Sequence, residues 1–282
     1  MKNKLFITFL TFFPKTLWSR FLGWLVYANL PNFIVKPAMK WFSNRYQLNL
    51  NEAEFPLEHY QNLGQLFTRK LKANTHTIDQ TVNTAVSPAD GHVLNSGKID
   101  QGRLIQCKGR DFHVADLLQN KAIAEQFLGG SWCTVYLSPR DYHRVHHPVE
   151  GQVTQTHYIT GKLWPVNQAA VQEVSRLFCV NERTVTYTES PLGLVATIMV
   201  GATSVGHISL AYDAEIHSNQ GQSDLQKTYT PTIEVKRADE LGTFHLGSTA
   251  IVLFANPNVQ LKTLVDGQEI RLGTPIASLA SF

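Results

Sequence analysis

From about residue 80 onward the chain is a succession of short apolar runs separated by glycine-bearing turns, and that pattern leaves little choice of fold. Gly91-His92-Val93-Leu94, Thr134-Val135-Tyr136-Leu137, Leu194 to Val200, Val205 to Tyr212 and Ala250 to Phe254 are short and bounded by turn residues. Runs of this kind predict strands, and their close spacing predicts a largely antiparallel β domain. Helical patterning is sparse. Leu63, Leu66, Phe67 and Leu71, followed by Arg69, Lys70 and Lys72, predict a short amphipathic helix, and two more are expected over Val114 to Leu128 and Val166 to Leu177. The polar stretch from His217 to Thr232 predicts a mobile loop.

The start of the chain has a different character. Ahead of Glu52 there is no acidic residue, whereas Lys2, Lys4, Lys15, Arg20, Lys36, Lys40 and Arg45 are basic. The apolar run of residues 5–13 stops at Pro14-Lys15, short of the roughly 20 residues a membrane span needs. Leu17, Trp18, Phe21, Leu22 and Leu25 share a helical face with Ser19 and Arg20 off it, and Ile34, Ala38, Trp41 and Phe42 oppose Lys36, Lys40 and Asn44. Three of the five tryptophans and seven of the fifteen phenylalanines precede residue 45. Aromatics and cations without acids suit a helix lying on an anionic lipid surface, with ordinary core helices as the alternative. A secretory signal would carry a small-residue cleavage site, and a nucleic-acid surface would not carry this much apolar bulk between its cations.

The shift at Glu52 divides the chain into an amphipathic helical membrane-associating region, residues 1–51, and a β-rich region, residues 52–282, in an α+β fold. A chain of 282 residues can bury a real core. Its three cysteines, Cys107, Cys133 and Cys179, are odd in number and far apart, which suits a reducing compartment and forms no zinc pattern.

Three stretches bear on chemistry. In Leu246-Gly247-Ser248-Thr249 a residue without Cβ precedes a hydroxyl, so that hydroxyl can approach the carbonyl of Gly247 closely, and attack would turn the amide into an ester if a base took the proton. A bare Gly-Ser-Thr is far more often a turn leading into a strand, so a base and an orienting carboxylate must come from elsewhere. Asp90, in Ser87-Pro88-Ala89-Asp90-Gly91, reads alone as a turn residue. Asp141-Tyr142-His143-Arg144-Val145-His146-His147-Pro148 offers proton carriers. A helical turn would present His143 and His146 to one pocket, whereas an extended strand would split them. Zinc competes for clustered histidines, but no His-Glu-x-x-His run and no nearby cysteine supports it.

Together these stretches resemble the prokaryotic, membrane-associated phosphatidylserine decarboxylases. Asn181-Glu182-Arg183 and Val200-Gly201-Ala202-Thr203-Ser204-Val205-Gly206 also look like that family, and the resemblance runs over essentially the whole chain. It implies a charge relay of Asp90, His146 and Ser248 that cleaves the chain between Gly247 and Ser248, giving a large chain, residues 1–247, and a small one, residues 248–282. It implies that Ser248 becomes a covalent pyruvoyl group, the sole cofactor, with no metal. That group would form a Schiff base with the substrate amine and act as the electron sink. His143 would be the acid that reprotonates the carbon after decarboxylation. The implied partners are phosphatidylserine and an anionic membrane surface rather than nucleic acid, and the implied location is peripheral, on the cytoplasmic face of the cell membrane. A membrane-tethered serine hydrolase using Asp90, His146 and Ser248 without self-cleavage is the rival, and a tethered metalloprotein or binding module a further one.

Overall fold

The computed structural model describes residues 13–203, 207–219, 221, 223–245, 247 and 249–280. Helices α1 (Lys15–Tyr27), α2 (Asn32–Tyr46) and the short α3 (Leu63–Phe67) precede the sheets. Then follow β1 (Thr84–Val86), β2 (Gly91–Lys98), the hairpin β3 (Arg103–Cys107) and β4 (Arg110–His113), β5 (Ser131–Tyr136), β6 (Arg144–His146) and β7 (Gly151–Ile159). The second half supplies β8 (Arg183–Ser190), β9 (Gly193–Val200), β10 (Ile208–Leu210), β11 (Leu225–Val235) and β12 (Glu240–Phe244). The chain closes with β13 (Thr249–Phe254), β14 (Val259–Leu261), β15 (Glu269–Ile270) and β16 (Pro275–Leu279). The fold is α+β and its strand pairs are antiparallel, as the sequence predicts.

One eight-stranded sheet dominates, in the order β11-β7-β8-β9-β13-β5-β2-β15. Strand β13 lies inside it, paired along its whole length with β9 on one side and β5 on the other. Every residue of Thr249-Ala250-Ile251-Val252-Leu253-Phe254 is buried, as expected of a continuous apolar run covered on both faces. Its side chains alternate between two cores. Ile251 and Leu253 join the larger one with Trp132, Phe178 and Tyr187, and Val252 and Phe254 join Val93, Val135 and Val195 on the other face. A small sheet, β10-β12-β6, stands beside the large one.

Three local expectations change. The helix expected over Val114 to Leu128 is two short ones, Val114–Leu118 and Lys121–Glu125, because Gln119 turns left-handed (φ 49°) and the Asn120 side chain caps the second. The segment from Val166 to Leu177 is likewise divided, into Gln168–Glu173 and Leu177–Val180. Much of the expected loop from His217 to Thr232 is strand β11, whose residues are all exposed or half-buried. An edge strand of that kind, with Thr228, Thr230 and Thr232 around Pro231, resembles a loop in composition. Of the expected run from Val205 to Tyr212, Val205 lies outside the described residues, as do residues 5–12 of the first apolar run, and Ile208–Leu210 is strand.

Helix α1 is turned inside out. Its polar Ser19 is wholly buried and Lys15 nearly so, while Leu17 and Trp24 are each 66% exposed and Phe21 50%. Helix α2 is two-sided: Val35, Met39 and Phe42 pack with Leu48, Tyr60, Leu66 and Phe67, and Phe33, Ile34 and Trp41 face outward. The expected grouping of Phe42 with Ile34 and Trp41 is therefore corrected, since the outward side holds only the last two. The core of α2 spans the boundary expected at residues 51 and 52. Among the described residues no helix is long and apolar enough to cross a membrane.

The Asn181-Glu182-Arg183 stretch is scaffold. Asn181 holds Trp164 and Gly201 through three hydrogen bonds, and Glu182 accepts from Tyr158 Oη and from the Asn219 N–H. Arg183, fully buried, donates to the carbonyls of Leu117 (2.7 Å), Cys179 (2.6 Å), Asn181 (2.8 Å) and Asp116 (2.9 Å). An Arg183→Ala variant strands those acceptors, and denaturant unfolding is expected to show a loss of about 3 kcal/mol or more.

Candidate active site

The chain crosses from the small sheet to the middle of the large one between Phe244, the last residue of β12, and Thr249, the first of β13. Both ends are pinned. Phe244 N–H donates to His143 O at 2.9 Å, and Thr249 pairs with Tyr136 and Val200. Gly247 lies in this link, and Leu246 and Ser248 lie outside the described residues. A Cβ on Gly247 would stand 2.8 Å from His143 Nε2 and 3.4 Å from Leu137 O, so any larger residue would push into the imidazole.

His143 is set by the turn before it. Asp141 accepts at 2.7 Å from both Ser138 N–H and Ser138 Oγ, closing residues 138–141. Asp141 O then accepts from His143 Nδ1 at 2.8 Å, which assigns the proton to Nδ1 and leaves a lone pair on Nε2. That Nε2 is buried, has no hydrogen-bond partner among the described residues and faces Gly247. Phe67 of α3 covers the ring at 3.9 Å between centroids. Burial, reinforced by nearby Arg69, pushes the His143 pKa down to about 3, so the ring is neutral at physiological pH. A cavity of about 310 Å³ opens on Gly247, walled by Phe42, Tyr46, Phe67, Tyr136 and Leu137. Helix α2 and α3 thus supply part of its wall.

His146 faces elsewhere. Residues 144–146 form strand β6, so the extended alternative holds, and the arrangement of His143 and His146 on one helical turn is corrected: the strand splits them. His146 Nδ1 donates to Ala238 O at 2.7 Å, and Tyr142 Oη lies 3.2 Å from Nε2. Burial lowers its pKa as well. The Asp90 turn is adjacent, since His146 N–H donates to Pro88 O at 2.8 Å. Yet the Asp90 carboxylate, in this arrangement, takes His76 Nε2 at 2.7 and 3.0 Å and the Leu272 N–H at 2.8 Å, and not His146. The Tyr142 ring stands between the two histidines, 6.2 Å from His76 and 5.7 Å from His146. Gly91, next to Asp90, lies close against the β5 backbone, where a Cβ would meet Tyr136 O at 2.2 Å.

The structure therefore sets His143 at Gly247, and groups Asp90, His76, Tyr142 and His146 in a neighbouring polar series. His76 is the member that sequence reasoning missed. It lies in an irregular segment, Ala73-Asn74-Thr75-His76, with no periodicity or motif to mark it. Tyr142 sits inside the histidine stretch and was legible there only as a neighbour.

The comparisons with known proteins agree with the sequence. Residues 63–278 match the phosphatidylserine decarboxylase family profile. The chain belongs to this family. It is 40% identical to a phosphatidylserine decarboxylase proenzyme from Anaeromyxobacter sp., covering 99% of this chain and 100% of that one. The proenzymes of Myxococcus xanthus, at 40% identity, and Saccharophagus degradans, at 37%, are matched over 98% and 99% of this chain and 99% of their own lengths. Phosphatidylserine decarboxylases thus share the whole span that holds Asp90, His143, His146 and Gly247.

Several histidines are held neutral by burial, His143 and His245 at about 3 and His147 and His207 at about 4. Each folded pKa lies below the unfolded value of 6.5, so the unfolded chain binds more protons as the pH falls beneath about 6.5. The contribution of these histidines to stability is fully present above that value and is lost progressively as the pH falls toward 4. Melting temperature followed by circular dichroism should drop across this window, and His147→Phe, which removes a ring without hydrogen bonds, should shallow the slope.

Proposed function

We propose that this chain is the precursor of a pyruvoyl-dependent phosphatidylserine decarboxylase, which converts phosphatidylserine to phosphatidylethanolamine and carbon dioxide. The observation that carries the reading, beside family membership, is the unpartnered His143 Nε2 facing Gly247 at the mouth of a cavity. In the maturation step Ser248 Oγ attacks the Gly247 carbonyl carbon, the amide C–N bond breaks and an ester forms. Loss of the α-proton of residue 248 then expels the Gly247 carboxylate and leaves a dehydroalanine. That residue tautomerises to an imine, and water releases ammonia to leave the pyruvoyl end of the small chain, residues 248–282. Strand β13 belongs to that chain and is paired on both sides within the large sheet, so the two chains remain associated.

A pyruvoyl group at position 248 supplies the sink for the electrons freed as carbon dioxide departs. The described neighbours fit it: Gly247, the residue before it, has no side chain, and the open Nε2 of His143 faces Gly247. The protein's own work is then to admit the head group, exclude water and move one proton. The cavity beside Gly247 takes the head group. His143, held by Asp141 O through Nδ1, has a lone pair on Nε2 that takes a proton from the substrate ammonium as the head group binds and returns it to the substrate carbon after carbon dioxide leaves.

For self-cleavage the family resemblance assigns His146 as base with Asp90 behind it. His76 then orients Asp90, and Tyr142 lies between that pair and His146. A second reading is favoured by one observation: both His146 nitrogens are engaged, whereas His143 Nε2 is open toward Gly247, so His143 serves both steps. Denaturing mass spectrometry with a carbon dioxide assay separates these. Ser248→Ala should stay a single chain. His143→Ala should cleave and lose decarboxylation while His146→Ala stays whole, and the reverse cleavage pattern assigns the base to His143. A serine hydrolase acting in trans would leave the wild-type chain intact.

The outward apolar side of α1 and the cations of the acid-free N-terminal region fit a peripheral position on an anionic leaflet at the cytoplasmic face, where the head group lies. Trp24→Glu and Leu17→Glu together should release the protein from phosphatidylglycerol vesicles in a sedimentation assay, with cleavage retained.

A further inference from the structure

We infer that Tyr27, the last residue of α1, is a positioning residue for the Gly247–Ser248 bond and acts on it through His245. The inference rests on the self-cleavage reading above and adds to it a residue from the helical region. Its basis is a set of contacts by which α1, apolar side outward, is fastened to the segments around the site. Lys15 Nζ lies 4.1 Å above the Trp164 ring, and Arg20 Nε donates to Asn219 O at 3.1 Å. Tyr27 Oη meets His245 Nδ1 at 2.5 Å. His245 is two residues ahead of Gly247, in the link between β12 and β13.

Burial keeps the Tyr27 phenol protonated and the His245 ring neutral, so one ring nitrogen donates and the other accepts. Nδ1 meets the phenol, and Nε2 meets Ser209 Oγ at 2.9 Å. Both ring nitrogens are occupied, and the ring also stacks on His207 at 3.6 Å with 16° between planes. The backbone is tied as well, since His245 N–H donates to His207 O at 3.0 Å. A side chain held at both nitrogens and on one face fixes the direction in which its own backbone enters the link to Gly247. Of these restraints, only the Tyr27 bond comes from outside the β-rich region.

Tyr27 reaches the other flank of the bond too. Its ring lies against Gly64 of α3, where a Cβ would stand 2.6 Å from it, and Phe67 of the same helix covers His143. One aromatic side chain therefore braces His245 directly and the His143 wall through α3. A tyrosine that served only as packing would need the ring and not the hydroxyl, and this distinction is what the test reads.

The measurement is the time course of precursor cleavage in freshly synthesised protein, with wild type, Ser248→Ala, Tyr27→Phe, His245→Phe and the Tyr27→Phe/His245→Phe double variant run in parallel. Tyr27→Phe keeps the ring against Gly64 and removes one oxygen. It is expected to slow cleavage about fivefold to tenfold, the effect of one lost hydrogen bond, with the melting temperature within a few degrees of wild type and vesicle binding unchanged. The double variant should be no slower than His245→Phe alone, because the hydroxyl acts only through that ring. Cleavage of Tyr27→Phe at the wild-type rate overturns the role, and so do independent, multiplying effects of the two substitutions. A wild type that never cleaves overturns the self-cleavage reading itself, and with it this role.

Discussion

The step of the chain from β12 to β13 governs the rest of the structure. Strand β12 belongs to the small sheet and β13 to the interior of the large one, where both of its edges are hydrogen-bonded and both of its faces are buried. The link between them thus joins two sheets, with little freedom at Phe244 or Thr249, where it is pinned. Gly247 is there because the His143 imidazole occupies the space a side chain would need. The same seam brings the turn at residues 138–141, the end of β5 and the α3 helix to one point, so the cavity is a consequence of the way the sheets join.

The polar groups around this seam are almost all buried, and burial decides their protonation. Neutral histidine costs less to bury than charged histidine, so His143, His146, His207 and His245 are all shifted downward. A neutral ring donates through one nitrogen and keeps a lone pair on the other. His143 gives its proton to a backbone carbonyl and keeps its lone pair for Gly247. The Asp90 side of the site is different, since a carboxylate there is met by His76 and a backbone N–H. Proton-handling groups thus fall into two sets, His143 at Gly247 and the series of Asp90, His76, Tyr142 and His146.

The N-terminal helices are less of an appendage than their composition suggests. Helix α2 contributes Phe42 and Tyr46 to the cavity wall, and α1 is clamped by polar residues on its inner side while its aromatics face out. An amphipathic helix with its polar side inward leaves its apolar side to be received by something else, and the lipid surface of the proposed function is of that chemistry. The hydrophobic periodicity identified the helices and their apolar stripe. It left undecided which way α1 faced, because periodicity is a property of one helix and facing is a property of two surfaces.

The antiparallel β character was legible because strands buried on both faces, such as β13, are written as unbroken apolar runs, while the edge strand β11 was not, since Lys227 and Pro231 interrupt its apolar alternation and none of its residues is buried. The Gly247-Ser248 pair, the histidine stretch and Asp90 were legible as chemistry because each carries its reactive group in its own residue type. What local sequence could not contain was distance. That His143 faces Gly247, that His76 takes the Asp90 carboxylate, and that Tyr27 reaches His245 across 218 positions of chain were decided by the packing of two sheets and three helices. Residue type determines what a group can do to a proton; only the tertiary structure determines which proton lies within its reach.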